Sequence, residues 1–127
     1  MTSHDDREHR SRTRGGLLLV GDESQATYDL LHVARCAGYD CEHCTEARDV
    51  RQVLLCRAYT AVIADLDRGG GDGVPLLAML RRFAPEAWIV ALLPARITPT
   101  PTMGYDVALA KPAAPELVLA ALGRMPS

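Results

Sequence analysis

Long apolar runs, strong net charge and paired metal-ligand clusters are all missing from this sequence, and each absence closes a class of function. No stretch approaches the roughly 18 apolar residues of a membrane span. The N-terminus lacks the apolar core of a secretory signal, so a cytoplasmic location with no membrane partner is expected. The formal net charge of the 127 residues is only −2, which argues against a polyanion-binding surface and against nucleic acid as a partner. Cysteine occurs at four positions (Cys36, Cys41, Cys44 and Cys56), yet nothing else marks a disulfide-stapled secreted scaffold. The run Cys41-Glu42-His43-Cys44 suggests zinc, but structural zinc needs four ligands and usually two such clusters. Cys36 and Cys56 stand alone in helical stretches, where small buried thiols are common. His32 falls mid-helix, and His4 and His9 lie in the N-terminal tail. No serine–histidine–aspartate order is credible. The glycine-rich stretch from Arg68 to Gly73 has neither the lysine nor the hydroxyl of a P-loop. It also does not follow the first strand, as a dinucleotide fingerprint would.

What is present is a core. The hydrophobic fraction is 48%, and the length suits one domain. Residues 1–15 read as a flexible charged tail and 16–127 as the folded domain. From Gly16, "GLLLVGD" reads as a buried strand. Ser24 then caps a helix running to about Ala37, with Leu30, Val33, Ala34 and Ala37 on one face and Gly38 as its left-handed stop. "DCEHC" makes a short second strand, at an edge. Thr45 is a candidate cap for the next helix, whose inner face is Ala47, Val50, Val53 and Leu54. Tyr59 to Asp65 forms a third strand. Asp72 caps a helix that tolerates Pro75 in its first turn, buries Leu76, Leu77 and Leu80, and stops near Ala84 ahead of Pro85. Trp88 to Leu93 and Asp106 to Ala110 complete five strands; Trp88, the only tryptophan, offers an optical reporter. The last helix starts at Pro115 and carries Leu117, Val118, Ala121 and Leu122, with no capping side chain at Ala113 or Ala114.

Aliphatic strands alternating with amphipathic helices predict an α/β fold, a doubly wound parallel sheet covered on both faces. In such folds the site lies beyond the carboxyl ends of the strands, where the chain order reverses. Strand one ends in Asp22, with Glu23 next. Strand three ends in Asp65, and strand five ends in Lys111-Pro112. Two carboxylates and an ammonium on one rim suit a hard divalent cation, which relieves the repulsion between the acids, and a phosphoryl group, whose developing charge the lysine can neutralise.

With "VGDES", "IADLDRGGGDG" and "LAKPAAPEL" in this order, the chain from about Leu17 to Met125 resembles the receiver domain of two-component response regulators. The resemblance implies a five-stranded sheet of order 2-1-3-4-5 and Asp65 as the residue that accepts phosphate. It implies Mg²⁺ held by Asp22, Asp65 and the backbone carbonyl of Asp67, with Glu23 as a further candidate, and Lys111 pairing with the acceptor or its phosphate. It implies a signalling module rather than an enzyme, working by protein–protein contact with a sensor histidine kinase or another signalling protein.

The pattern also departs from that family. Gly21 stands where a second acid is usual, which should weaken the hold on Mg²⁺. Leu93, or Pro94 on a one-residue slip, takes the place of a hydroxyl residue, and Ala108 takes that of an aromatic. The pair that reports phosphorylation is therefore missing at both ends. Pro94, Pro99 and Pro101 break the segment before strand five, so the fourth helix should be shortened or replaced by a proline-rich loop. "RGGG" (Arg68 to Gly71) in place of the usual proline should loosen the acceptor loop. The alternative function is a pseudo-receiver, a binding module whose partner recognises one conformation without phosphate.

Overall fold

A computed structural model describes residues 15–67, 73–100 and 103–126. The tail, His4, His9, the Arg68–Gly71 loop, Asp72 and Pro101 lie outside the described residues.

Five strands form one parallel sheet in the order β2-β1-β3-β4-β5: β1 (Gly16–Val20), β2 (Asp40–Cys44), β3 (Ala61–Asp65), β4 (Trp88–Leu93) and β5 (Val107–Ala110). The helices are α1 (Gln25–Cys36), α2 (Ala47–Cys56), α3 (Val74–Phe83) and α4 (Pro115–Leu122). None is long and apolar enough to cross a membrane.

Local chemistry explains where these elements begin and end. The Ser24 hydroxyl accepts the Thr27 amide at 3.3 Å and starts α1. The helix closes in a Schellman motif: Gly38, at φ 101°, donates to the Arg35 carbonyl, and Tyr39 donates to that of Ala34. Leu31 rather than Val33 is fully buried on its inner face, beside Leu30 and Ala34. The expected cap of α2 is corrected: Glu46, not Thr45, occupies the cap position, and it makes no side-chain capping bond. The expected cap of α3 is corrected too: Gly73, not Asp72, takes the cap position, at φ 80°, a left-handed conformation that an L side chain resists. Pro75 is tolerated because it falls in the first turn. As expected, Ala114 gives α4 no side-chain cap.

Strand alternation divides the core in two. Leu18, Val20, Val62, Ala64, Ile89, Ala91 and Leu93 face α2 and α3. Leu17, Leu19, Ala61, Ile63, Val90 and Leu92 face α1 and α4. Leu117 corrects the expectation for α4, since it is 57% exposed while Val118, Ala121 and Leu122 supply the packing. Cys41 and Cys44 are buried, but Cys36 and Cys56 are exposed free thiols rather than buried ones. Each lies on the solvent side of an amphipathic helix whose other face meets the sheet.

Between β4 and β5 the described residues form turns, Met103 among them in a 3₁₀ turn whose amide donates to the Thr100 carbonyl at 3.2 Å, and no α-helix. Ile97, Met103 and Tyr105 from this crossover pack on the α2–α3 side of the core. Arg81 anchors it: Nε donates to the Gly104 carbonyl at 2.6 Å, Nη1 to that of Ala87 at 2.9 Å, and Nη2 to Asp106 Oδ2 at 2.7 Å. The same Asp106 oxygen accepts the Ile89 amide at 2.8 Å, tying the entry of β5 to β4.

Candidate functional site

The chain reverses its order across the sheet between β1 and β3, which are paired in register from Leu17↔Ala61 to Val20↔Ala64. The residues that follow, Gly21-Asp22 and Asp65-Leu66, therefore emerge side by side at the carboxyl edge. A Cβ at Gly21 would sit 3.7 Å from the Asp65 Cβ and 3.4 Å from the Thr27 hydroxyl. That hydroxyl donates to Asp22 Oδ1 at 3.3 Å. Asp22 and Glu23 are both exposed.

Asp65 is one of two buried polar residues among those described. A buried carboxylate needs compensation, and here it is dense. Oδ1 accepts the Asp67 amide at 2.9 Å, and the Lys111 ammonium lies 3.1 Å from Oδ1 and 2.9 Å from Oδ2. Lys111 is aimed by its own backbone, whose amide donates to the Leu93 carbonyl at 2.8 Å just past the end of β5. The Lys111–Pro112 peptide is cis. Asp67 adds a second carboxylate: Oδ2 lies 3.7 Å from the Lys111 ammonium, and Oδ1 accepts Arg96 Nη1 at 3.0 Å. Two anions and two cations thus alternate across the strand ends.

The Asp65–Lys111 pair joins two residues expected from the sequence, while Asp67 takes part through its amide and carboxylate and Arg96 and His43 are additions. Arg96 is a lone arginine in a proline-broken loop and carries no spacing pattern that marks it in the sequence. His43, flanked in sequence by Cys41 and Cys44, has its Nε2 2.9 Å from the Gly21 carbonyl and its ring edge-on to Tyr28. A compositional signal does exist for Lys111: it is the only lysine in the chain, every other basic residue of this class being arginine. Leu93, at the end of β4, is 2% exposed, and Ala108, opposite Ala91, packs against the same core; neither has a hydrogen-bonding side chain. Trp88 starts β4 while Leu93 ends it, roughly 16 Å away at the strand rise. That corrects its choice as a reporter of this site.

No three Asp, Glu, His or Cys side chains gather into a metal-holding group among the described residues. The donors the sequence offers are the carboxylates of Asp65 and of Asp22, on the neighbouring β1 turn, and the carbonyl of Asp67. Mg²⁺ keeps several waters and is held by as few as one or two carboxylates, so this donor set suits it chemically.

No family model and no curated protein matches the chain in sequence. Solved structures do match in shape. A chemotaxis response regulator of Vibrio cholerae aligns with a TM-score of 0.74 at 22% identity, covering 90% of this chain and all of the other (100%). The receiver domain of a sensor histidine kinase from Pseudomonas aeruginosa, with a magnesium ion coordinated in its active site cleft, aligns at 0.75 and 20% identity over 87% of this chain and 96% of that one. A response regulator from Burkholderia pseudomallei, with a phosphorylated aspartic acid and a calcium ion, aligns at 0.71 and 26% identity over 84% of this chain and 65% of that one.

The fold is that of a response regulator receiver domain. In a receiver sheet of this order, Asp65 and Lys111 sit at the carboxyl ends of β3 and β5, and the strand register places the β1 turn beside them.

Proposed function

We propose that this chain is a two-component signalling receiver module, with Asp65 accepting phosphate and the output carried by protein–protein contact. The observation that carries the reading is the Lys111 ammonium within 3.1 Å of both oxygens of a buried Asp65 carboxylate at the topological switch point.

In the transfer, an Asp65 oxygen forms a bond to phosphorus. The bond from phosphorus to the donor's histidine nitrogen, or to the acetate oxygen of acetyl phosphate, breaks with its electron pair leaving on the donor. The Asp67 amide holds Oδ1 in place, and the same bond fixes the direction of Oδ2. Lys111 neutralises charge as it builds on the phosphoryl oxygens, a role suited to a compact ammonium. Asp22, Asp65 and the Asp67 carbonyl would hold Mg²⁺, which supplies further neutralisation of the transferring group. Gly21 contributes no carboxylate, so the hold is weak.

A second reading, a binding module with one fixed conformation, is favoured by a different observation. The closed ion cluster of Asp65, Lys111, Asp67 and Arg96 balances its own charge, and Leu93 is locked in the core.

Exposure to acetyl phosphate with millimolar Mg²⁺, followed by intact mass and amide chemical shifts, separates the two. A phosphoryl adduct absent from Asp65→Asn supports the acceptor reading. An unmodified protein with unmoved shifts leaves the fixed-conformation module. A second readout comes from the single lysine: amine-selective labelling of Lys111 should slow or speed measurably when Asp65 is phosphorylated.

A further inference from the structure

Resting on the acceptor reading, we infer that Arg96 is a second phosphoryl-binding cation of this site, taking hold of the acyl phosphate that forms on Asp65. Phosphorylation turns the Asp65 carboxylate into an acyl phosphate with close to two negative charges, a net gain of about one in a pocket whose charges are already matched. The groups within reach then compete for cations. Lys111 is committed to Asp65 and, at 3.7 Å, to Asp67. Leu93 and Ala108 supply no donor at the strand ends. Arg96 is the cation one contact further out, joined to the same cluster through Asp67 Oδ1 at 3.0 Å. Its ion pair with Asp67 is made to a carboxylate that is itself 41% exposed, and Arg96 is 48% exposed. An ion pair of that exposure is weak and easily exchanged. A phosphoryl dianion offers the guanidinium a bidentate fit and a greater charge.

Location supports the exchange. Arg96 lies three residues past Leu93 in the turn that opens the β4–β5 crossover, so its side chain is carried by a loop and not by the sheet. Moving it from Asp67 toward the phosphate of Asp65 displaces that loop and leaves β4 in place. The site thereby gains a phosphate-dependent contact at the position where a strand-end hydroxyl is lacking.

The test compares the unaltered chain with Arg96→Ala, Arg96→Gln, Arg96→Lys and, as a control for net charge, Arg48→Ala on the exposed side of α2. Acetyl phosphate and Mg²⁺ are added; the adduct is followed by intact mass as it forms and as it decays after the donor is removed. Removing a charge-assisted contact should shorten the adduct lifetime, or raise the donor concentration for half-formation, by about tenfold in Arg96→Ala and Arg96→Gln. Arg96→Lys should recover part of the loss, and Arg48→Ala should show none. Melting temperatures should stay together, since a structural role would lower that of Arg96→Ala without the rescue. Formation and decay unchanged in Arg96→Ala and Arg96→Gln would overturn the inference and leave Asp65 as acceptor. Absence of any adduct on the unaltered chain would overturn both.

Discussion

Lys111 shows what one residue type does that its near relative does not. Its ammonium fits between Asp65 Oδ2 at 2.9 Å and Asp67 Oδ2 at 3.7 Å, a gap for a point charge and not for a planar fork. Arginine serves everywhere else in the chain, so the exception marks a geometric demand. Lys111→Met should leave the Asp65 carboxylate with only the Asp67 amide, and urea unfolding at pH 7 should show a loss of about 1–2 kcal/mol. Methionine at Lys111 that left stability untouched would mean the pair contributes nothing net. Gly73 makes a steric demand of the same order. At φ 80° its missing Cβ would come within 2.7 Å of the Leu66 Cβ, so Gly73→Ala should cost about 2 kcal/mol or more by the same assay. Tyr59 sets a pH limit. Burial, reinforced by the Glu42 carboxylate, pushes its phenol up to about 12. The unfolded chain releases that proton near its ordinary value of 10. Between these values the folded state holds more protons, so stability is full below pH 10 and falls as pH rises toward 12. The fall should flatten in Tyr59→Phe, and ultraviolet absorbance should show tyrosinate appearing late in the folded protein.

At the scale of elements, sequence and structure agree where local chemistry is decisive and part where packing decides. Ser24 as cap, Gly38 as stop and Pro85 as terminator were legible because each acts through backbone geometry within a few residues. The inward faces were legible less fully. Leu31 replaces Val33 and Leu117 turns outward, since a helix face is set by where the sheet lies and periodicity alone leaves its edges open. That the described residues before β5 form no α-helix was readable from the prolines there. What replaces it was not, because Arg81 acts across more than twenty residues of sequence. Three contacts, to Gly104, Ala87 and Asp106, let one side chain hold the crossover that a helix would otherwise order. Arg81→Ala should therefore destabilise the fold by about 2 kcal/mol, and amide exchange should accelerate first at Gly104 to Val107. Uniform acceleration through the sheet would show that the arginine supports the core as a whole and not the crossover.

For the whole molecule, the sheet order was legible because alternation of strand and helix admits few windings, and the switch point then brings the strand-end acids together. The response to phosphate follows from what the sheet does and does not connect. Leu93 is packed in the α2–α3 core and ends in methyl groups, and Ala108, packed against the same core, has too little side chain to swing between two positions. A ligand shifts a protein only through contacts that differ between two states, and β4 offers the phosphate none. The groups that do touch the site are Lys111, Asp67 and, through it, Arg96, all on loops beyond the strand ends. Acetyl phosphate with Mg²⁺ should accordingly move the amide resonances of Asp22 to Ser24, Asp65 to Asp67, Ala95 to Ile97 and Lys111. Those of Val107 to Leu109 and of α4, and the fluorescence of Trp88 at the far end of β4, should hold still. Shifts that ran instead through Tyr105 to Ala108 and on to Leu119 would require a second arrangement of this core, with Leu93 displaced. Leu93 is closed in on the α2–α3 side of the sheet, so such a move would have to open a cavity in a buried core.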